Sequence, residues 1–112
     1  MAKQKARSLT QPMYYILLSL KKKRHGYEIM QYVEWLTDGR VKVGPGTLYS
    51  LLGRFEEDKY IEMVADCDNK KTYIITSVGD QLVREEMERL ELLLKDGSRV
   101  IGGHDDEFEN RK

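Results

Sequence analysis

Leu48, Leu51, Leu52 and Phe55 recur at i, i+3, i+4 and i+7, directly after Gly44-Pro45. That spacing is a full match to one buried helical stripe. Pro45 suits the first turn, where a missing N–H costs nothing. A helix with such a stripe must pack on other elements. Its opposite face, with Thr47, Tyr49, Ser50, Gly53 and Arg54, stays outside that packing.

The flanking sequence supplies the other elements. Pro12 opens a first helix whose Ile16, Leu17 and Leu20 form one apolar face, with Tyr14 and Leu18 on a second. Gly26 interrupts the pattern before a second helix, in which Ile29, Met30, Val33 and Leu36 recur at helical spacing. Asp38-Gly39 marks a turn, and "RVKV" reads as a short extended segment. After the third helix, "KYIEMVA" and "KTYIIT" are strand-like runs separated by the polar tip "DCDNK", which predicts a β-hairpin.

The last element is a long helix. "SVGD" predicts Ser77 as its cap with Asp80 in its first turn. Val83, Met87, Leu90, Leu94 and Ile101 keep heptad spacing, with Gly97 in the missing step, as in a coiled-coil seam. Leu82, Leu93 and Val100 make a second stripe. Three short helices and a hairpin offer little surface for two stripes, so one is expected to meet a second copy of the chain.

The expected organisation is a basic arm at 1–11, a winged helix-turn-helix unit at 12–76, a dimerisation helix at 77–101 and a polar tail at 102–112. The fold class is mainly α with a small β-hairpin. In this architecture the helix after the turn enters the DNA major groove. Thr47, Tyr49, Ser50 and Arg54 are then free to donate to phosphate or base edges, and Gly46 lets the backbone approach.

Charge is compatible with that reading. The net charge is +0, yet residues 1–27 hold seven basic residues and no acidic one, while residues 80–112 hold six basic and ten acidic. A local basic patch can supply the field that a neutral total hides. The cluster Glu56, Glu57, Asp58 weighs the other way. It keeps open a winged-helix module that binds protein without DNA, and a small-molecule sensor without DNA is a weaker third reading.

Other classes are disfavoured. With 112 residues, 40% hydrophobic, the chain can bury one core, though a small one that association would help. "MYYILLSL" is too short to span a membrane, and "KKKRH" after it offers no signal-cleavage site. The single Cys67 excludes an internal disulfide and suits a reducing cytoplasm. It lies between Asp66 and Asp68, which disfavours the thiolate a redox sensor needs. His25 and His104 are isolated, so no metal site is expected. "GPGTLYS" lacks the lysine and spacing of a phosphate-binding loop. No nucleophile, base and orienting group stand together, and neither an enzyme nor a cofactor is expected.

"HGYEIMQYV", "GPGTLYSLLGRFEEDKYIE" and "KKTYIITSVGDQLV" resemble the motifs of PadR-type transcriptional regulators, over about Met13 to Leu94. The single C-terminal helix resembles the smaller subgroup of that family. Ser50 stands where many members carry proline, and Thr72 where the wing often has an aromatic. The resemblance implies a homodimeric winged-helix repressor of a near-palindromic operator, responsive to a small, frequently aromatic, effector. On that basis Gly26 and Tyr27 are expected beside a phosphate, and Asn69, Lys70 and Lys71 at a DNA-touching wing tip. Tyr14, Leu18, Val83, Met87, Leu90, Leu94 and Ile101 are the expected dimer contacts. Trp35, Met13 and Tyr15 are the candidates for an effector pocket.

Overall fold

The computed structural model describes residues 8–103 and 106–111. Helix α1 (Gln11–Ser19) starts at Thr10, whose hydroxyl accepts the Met13 N–H, and carries Pro12 in its first turn. A two-residue strand β1 (Arg24–His25) leads into α2 (Gly26–Leu36) and, after a loop, α3 (Pro45–Glu57). Strands β2 (Ile61–Cys67) and β3 (Lys70–Ile75) form the hairpin, and α4 (Ser77–Ile101) follows, then one turn, α5 (Asp106–Glu109). The antiparallel sheet runs β1-β3-β2.

The core lies where the three short helices meet the root of the hairpin. Ile16, Leu17 and Leu20 of α1 pack with Ile29 and Val33 of α2, Leu48, Leu51, Leu52 and Phe55 of α3, Ile61, Tyr73 and Val83. The whole α3 stripe is buried, as its spacing demands. Val41 and Val43 seal the loop between α2 and α3. Thr37 is buried beneath that loop. Its hydroxyl donates to the Val33 carbonyl at 2.9 Å and accepts the Val41 N–H at 3.1 Å, so the buried Val41 amide has a partner without a strand. The whole is a winged helix-turn-helix with a long C-terminal helix.

Several local expectations change. "RVKV" forms no strand; the third strand is Arg24–His25, which pairs with Tyr73 and Thr72. The cap of α4 is Thr76 and not Ser77. The Thr76 hydroxyl accepts the Gly79 N–H at 3.1 Å and donates to the Lys59 carbonyl at 2.7 Å, which ties the helix start to the end of α3. A residue with a Cβ at position 79 would collide with the Tyr60 carbonyl, so glycine is required for this approach. Asp80 lies in the first turn of α4, as expected, and its carboxylate holds Lys21, just past α1, and Arg84 of α4 at 2.6 Å each. Residues 1–7 of the expected basic arm lie outside the described residues, and the expected polar tail contains the short α5.

Candidate nucleic-acid interface

Helix α3 presents two polar rows beside its buried stripe. Thr47, Ser50 and Arg54, at i, i+3 and i+7, form one exposed row. Tyr49, Gly53 and Glu56, at i, i+4 and i+7, form another, turned towards the hairpin. Gly46, in the first turn, is exposed with open space where a Cβ would stand. With Gly44 as N-cap and no side-chain bond to the cap, the first N–H groups of α3 keep their capacity to donate.

Tyr49 is 56% exposed, and its ring edge and hydroxyl lie against Gly26. A Cβ at Gly26 would overlap the Tyr49 hydroxyl, so the glycine makes room for that ring. Tyr27, next along α2, is exposed and belongs to no core. Glu28 accepts the His25 N–H at 3.0 Å and fixes the helix start.

The hairpin closes through Asp68 and Asn69, both with positive φ (52° and 62°), between the paired residues Cys67 and Lys70. Two left-handed residues in a two-residue loop are the type I′ geometry, whose twist matches that of the strands. Cys67 is exposed at this tip. Asn69, Lys70 and Lys71 therefore stand together at the end of a rigid ribbon. They form one wall of a cleft of about 730 Å³, and Tyr27, Tyr49, Gly53 and Glu56 line it from α2 and α3. Gly26, Tyr27, Tyr49, Asn69, Lys70 and Lys71, expected separately from the sequence, are thus brought to one place. The cleft also includes His25, Leu52, Gly53, Glu56 and Tyr73. The i+4, i+7 spacing from Tyr49 could have revealed Gly53 and Glu56; His25 and Tyr73 arrive only through sheet pairing.

The basic run before α2 divides by use. Lys21 pairs with Asp80. Arg24 donates from Nε to the Ser19 carbonyl at 2.7 Å and lies 4.1 Å over the Tyr32 ring, so it serves the fold. Lys22 and Lys23 are exposed. Burial pushes the Tyr73 hydroxyl above its usual range, with Glu56 and Asp66 adding to it.

The other expected groups fall elsewhere. Trp35 is 70% exposed on the outside of α2, tilted against Tyr32 at 5.6 Å, so it is not part of the core. Met13 and Tyr15 are partly buried against the core on α1. Neither described cleft, the one above or the one beside Tyr60 and Val78, is lined by these three. Val83 is a correction: it faces the chain's own core, because α4 still lies on the body there. Tyr14 and Leu18 are partly buried against that core. Beyond Glu86 the helix leaves the body, and Met87, Leu90, Leu94 and Ile101 are all exposed, Ile101 at 87%. Leu93 and Val100 of the second stripe are exposed as well.

Comparison with known proteins places this geometry. The model of the transcriptional regulator PadR-like family matches residues 16–85. Transcriptional regulator YqjI of Escherichia coli K12 is 32% identical over 69 residues, 62% of this chain and 33% of that protein. The chain thus matches about a third of that relative's length. A transcriptional regulator from Clostridium thermocellum superposes with a TM-score of 0.66 at 27% identity, over 78% of this chain and 85% of that one. A PadR-like transcription factor from Bacteroides fragilis gives 0.65 at 28% identity, over 80% and 88%.

Proposed function

The chain belongs to the PadR-like family of transcriptional regulators, and from that premise we propose that it is a homodimeric repressor that binds a near-palindromic DNA operator and responds to an effector. The observation that carries the DNA reading is the free polar side of α3 next to a lysine-tipped hairpin, with the opposite side of the same helix wholly buried. Thr47, Ser50 and Arg54 would face the major groove, with Gly46 and the helix N-terminus near a phosphate. Asn69, Lys70 and Lys71 would touch the flanking backbone or minor groove. Gly26 sets the Tyr49 ring, and Tyr27 stands at the cleft's edge. No catalytic role is assigned, and the cytoplasm is the setting this activity requires. Among the described residues no helix is long and apolar enough to cross a membrane.

The dimer reading rests on α4. Met87, Leu90, Leu94 and Ile101, with Leu93 and Val100 beside them, cover roughly 140° of its circumference and are bare in the single chain. A contiguous apolar face of this kind in a small protein marks an association surface. Residues 77–101 are therefore the dimerisation helix and 12–76 the DNA-binding unit. Tyr14 and Leu18 would extend the contact from α1. A small aromatic effector would act at the junction of the subunits, altering the distance or angle between recognition helices through the α4 pair.

Selection of sites from random duplex DNA tests the reading. A palindrome with half-sites about 10 bp apart, bound far above a scrambled duplex, is the expected result. Lys70→Ala and Lys71→Ala should each weaken binding to all sequences and lower the salt slope by about 1. Weak salt-sensitive binding with no enriched sequence would favour the second reading, a protein-binding winged helix, for which the exposed Glu56, Glu57 and Asp58 are the supporting feature.

A further inference from the structure

Glu56 carries a charge that the fold leaves unused. It is exposed in the last turn of α3, on the row of Tyr49 and Gly53, and it lines the cleft whose far wall holds Lys70 and Lys71. The ion pairs among the described residues are Lys21–Asp80, His25–Glu28, Lys42–Glu34, Arg84–Asp80 and Arg89–Glu86, so Glu56 is outside them all. Its field still reaches across the cleft. After burial, Glu56 is the strongest influence holding the Tyr73 hydroxyl above its usual range. Among the described residues no hydrogen bond or salt link explains why a carboxylate stands on this wall.

If α3 enters the major groove and the hairpin tip lies over the neighbouring groove, as the DNA reading has it, the sugar-phosphate strand between the two grooves would cross this cleft. Lysines on one wall attract that strand, and a carboxylate on the other repels it. We propose that Glu56 is an electrostatic brake on phosphate binding, lowering affinity for any duplex without choosing among sequences. The proposal rests on the DNA reading above. A carboxylate can also accept from a cytosine amine. Glu56, however, lies about 10 Å along the helix from Tyr49, beyond the first turns that address base edges. It therefore meets backbone, which is the same in every sequence. Its effect is to keep the lysine-tipped face from holding tightly to DNA that lacks the operator.

The test compares wild type, Glu56→Gln and Glu88→Gln on the duplex recovered by selection and on a scrambled duplex, over a salt series. Glu88 is exposed on α4, and its substitution makes the same change in net charge. Glu56→Gln should tighten binding to both duplexes by a similar factor, roughly threefold to tenfold at low salt, with the gain fading as salt rises. The ratio between the duplexes should stay within about twofold of wild type. Glu88→Gln should give a clearly smaller gain. Unchanged or weaker binding by Glu56→Gln overturns the brake, as does an equal gain in Glu88→Gln. A loss confined to the selected duplex would make Glu56 a base contact and also overturn it. Wild type that binds neither duplex would remove the DNA reading, and the brake with it.

Discussion

Tyr49 and Gly26 act as one unit, because the tyrosine ring occupies the volume a side chain on Gly26 would fill. The displaced group in Gly26→Ala is the far end of a flexible side chain, so the stability cost should be small, below about 1 kcal/mol. The Tyr49 hydroxyl, however, must move. Gly26→Ala should keep its thermal midpoint near that of wild type while losing duplex affinity, as Tyr49→Ala should. Equal affinity in both variants and wild type would remove Tyr49 from the interface. Glu86 is a second residue whose partners set its behaviour. It is buried on α4, accepts from Arg89 Nε and Nη2 and from the Leu9 N–H, and its carboxyl is held below the ordinary range chiefly by Arg89. Because the folded value is depressed, the unfolded chain binds more protons between the two values. This stabilisation is fully present above the unfolded value and is lost as pH falls through the folded one. Glu86→Gln should lower stability near neutrality and flatten the acid limb of a stability-versus-pH curve. An acid limb identical to wild type would show that Glu86 is not the group responsible.

Among elements, α4 divides its work at Glu86. Its first turns lock to the body through Thr76, Gly79 and Val83. The remaining turns carry apolar side chains that stand exposed among the described residues. A 25-residue helix spans about 37 Å, longer than the body can cover. Introducing charge there tests association with little effect on the folded unit. Leu94→Asp with Ile101→Asp should shift the protein to monomer in sedimentation at micromolar concentration, and should lower duplex affinity by at least about tenfold through lost bivalency. A dimer that persists would locate the contact elsewhere, with α1 the next candidate. Helix α3 shows the opposite balance: its apolar side is wholly taken up by the core, so its remaining sides are free for a ligand.

At the scale of the molecule, the chain is elongated, 67 × 39 × 21 Å, with a radius of gyration of 17.9 Å. A compact chain of this length would have about 13 Å. The excess comes from α4, which projects from the body. Two copies joined by such helices would hold two recognition helices at a set separation. Inserting about 5 bp between operator half-sites turns them to opposite faces of the duplex. Affinity should then fall by at least about tenfold, and inserting a full turn, about 10 bp, should recover part of it only if the dimer can stretch. An operator indifferent to the half-turn insertion would mean independent binding by each subunit.

Much of this was determined by sequence alone, because it depends on periodicity. The i, i+3, i+4, i+7 stripe of α3 dictates a buried side and therefore an exposed one. Two strand-favouring runs on either side of a polar tip predict the hairpin, and proline in the first turn marks the starts of α1 and α3. These are local properties, decided by which neighbours along the chain share a face. Tertiary structure decided what depends on distant residues. Arg24–His25 took the third strand position because β3 lay beside it, while in "RVKV" the Val41 N–H bonds the Thr37 hydroxyl. Thr76 displaced Ser77 as cap because it could also reach Lys59. Trp35 lies exposed although tryptophan is on average a largely buried residue, and Val83 turned inward although its spacing suited a seam. Whether an apolar side chain is buried depends on what surface arrives opposite it, and spacing along one helix carries no information about that.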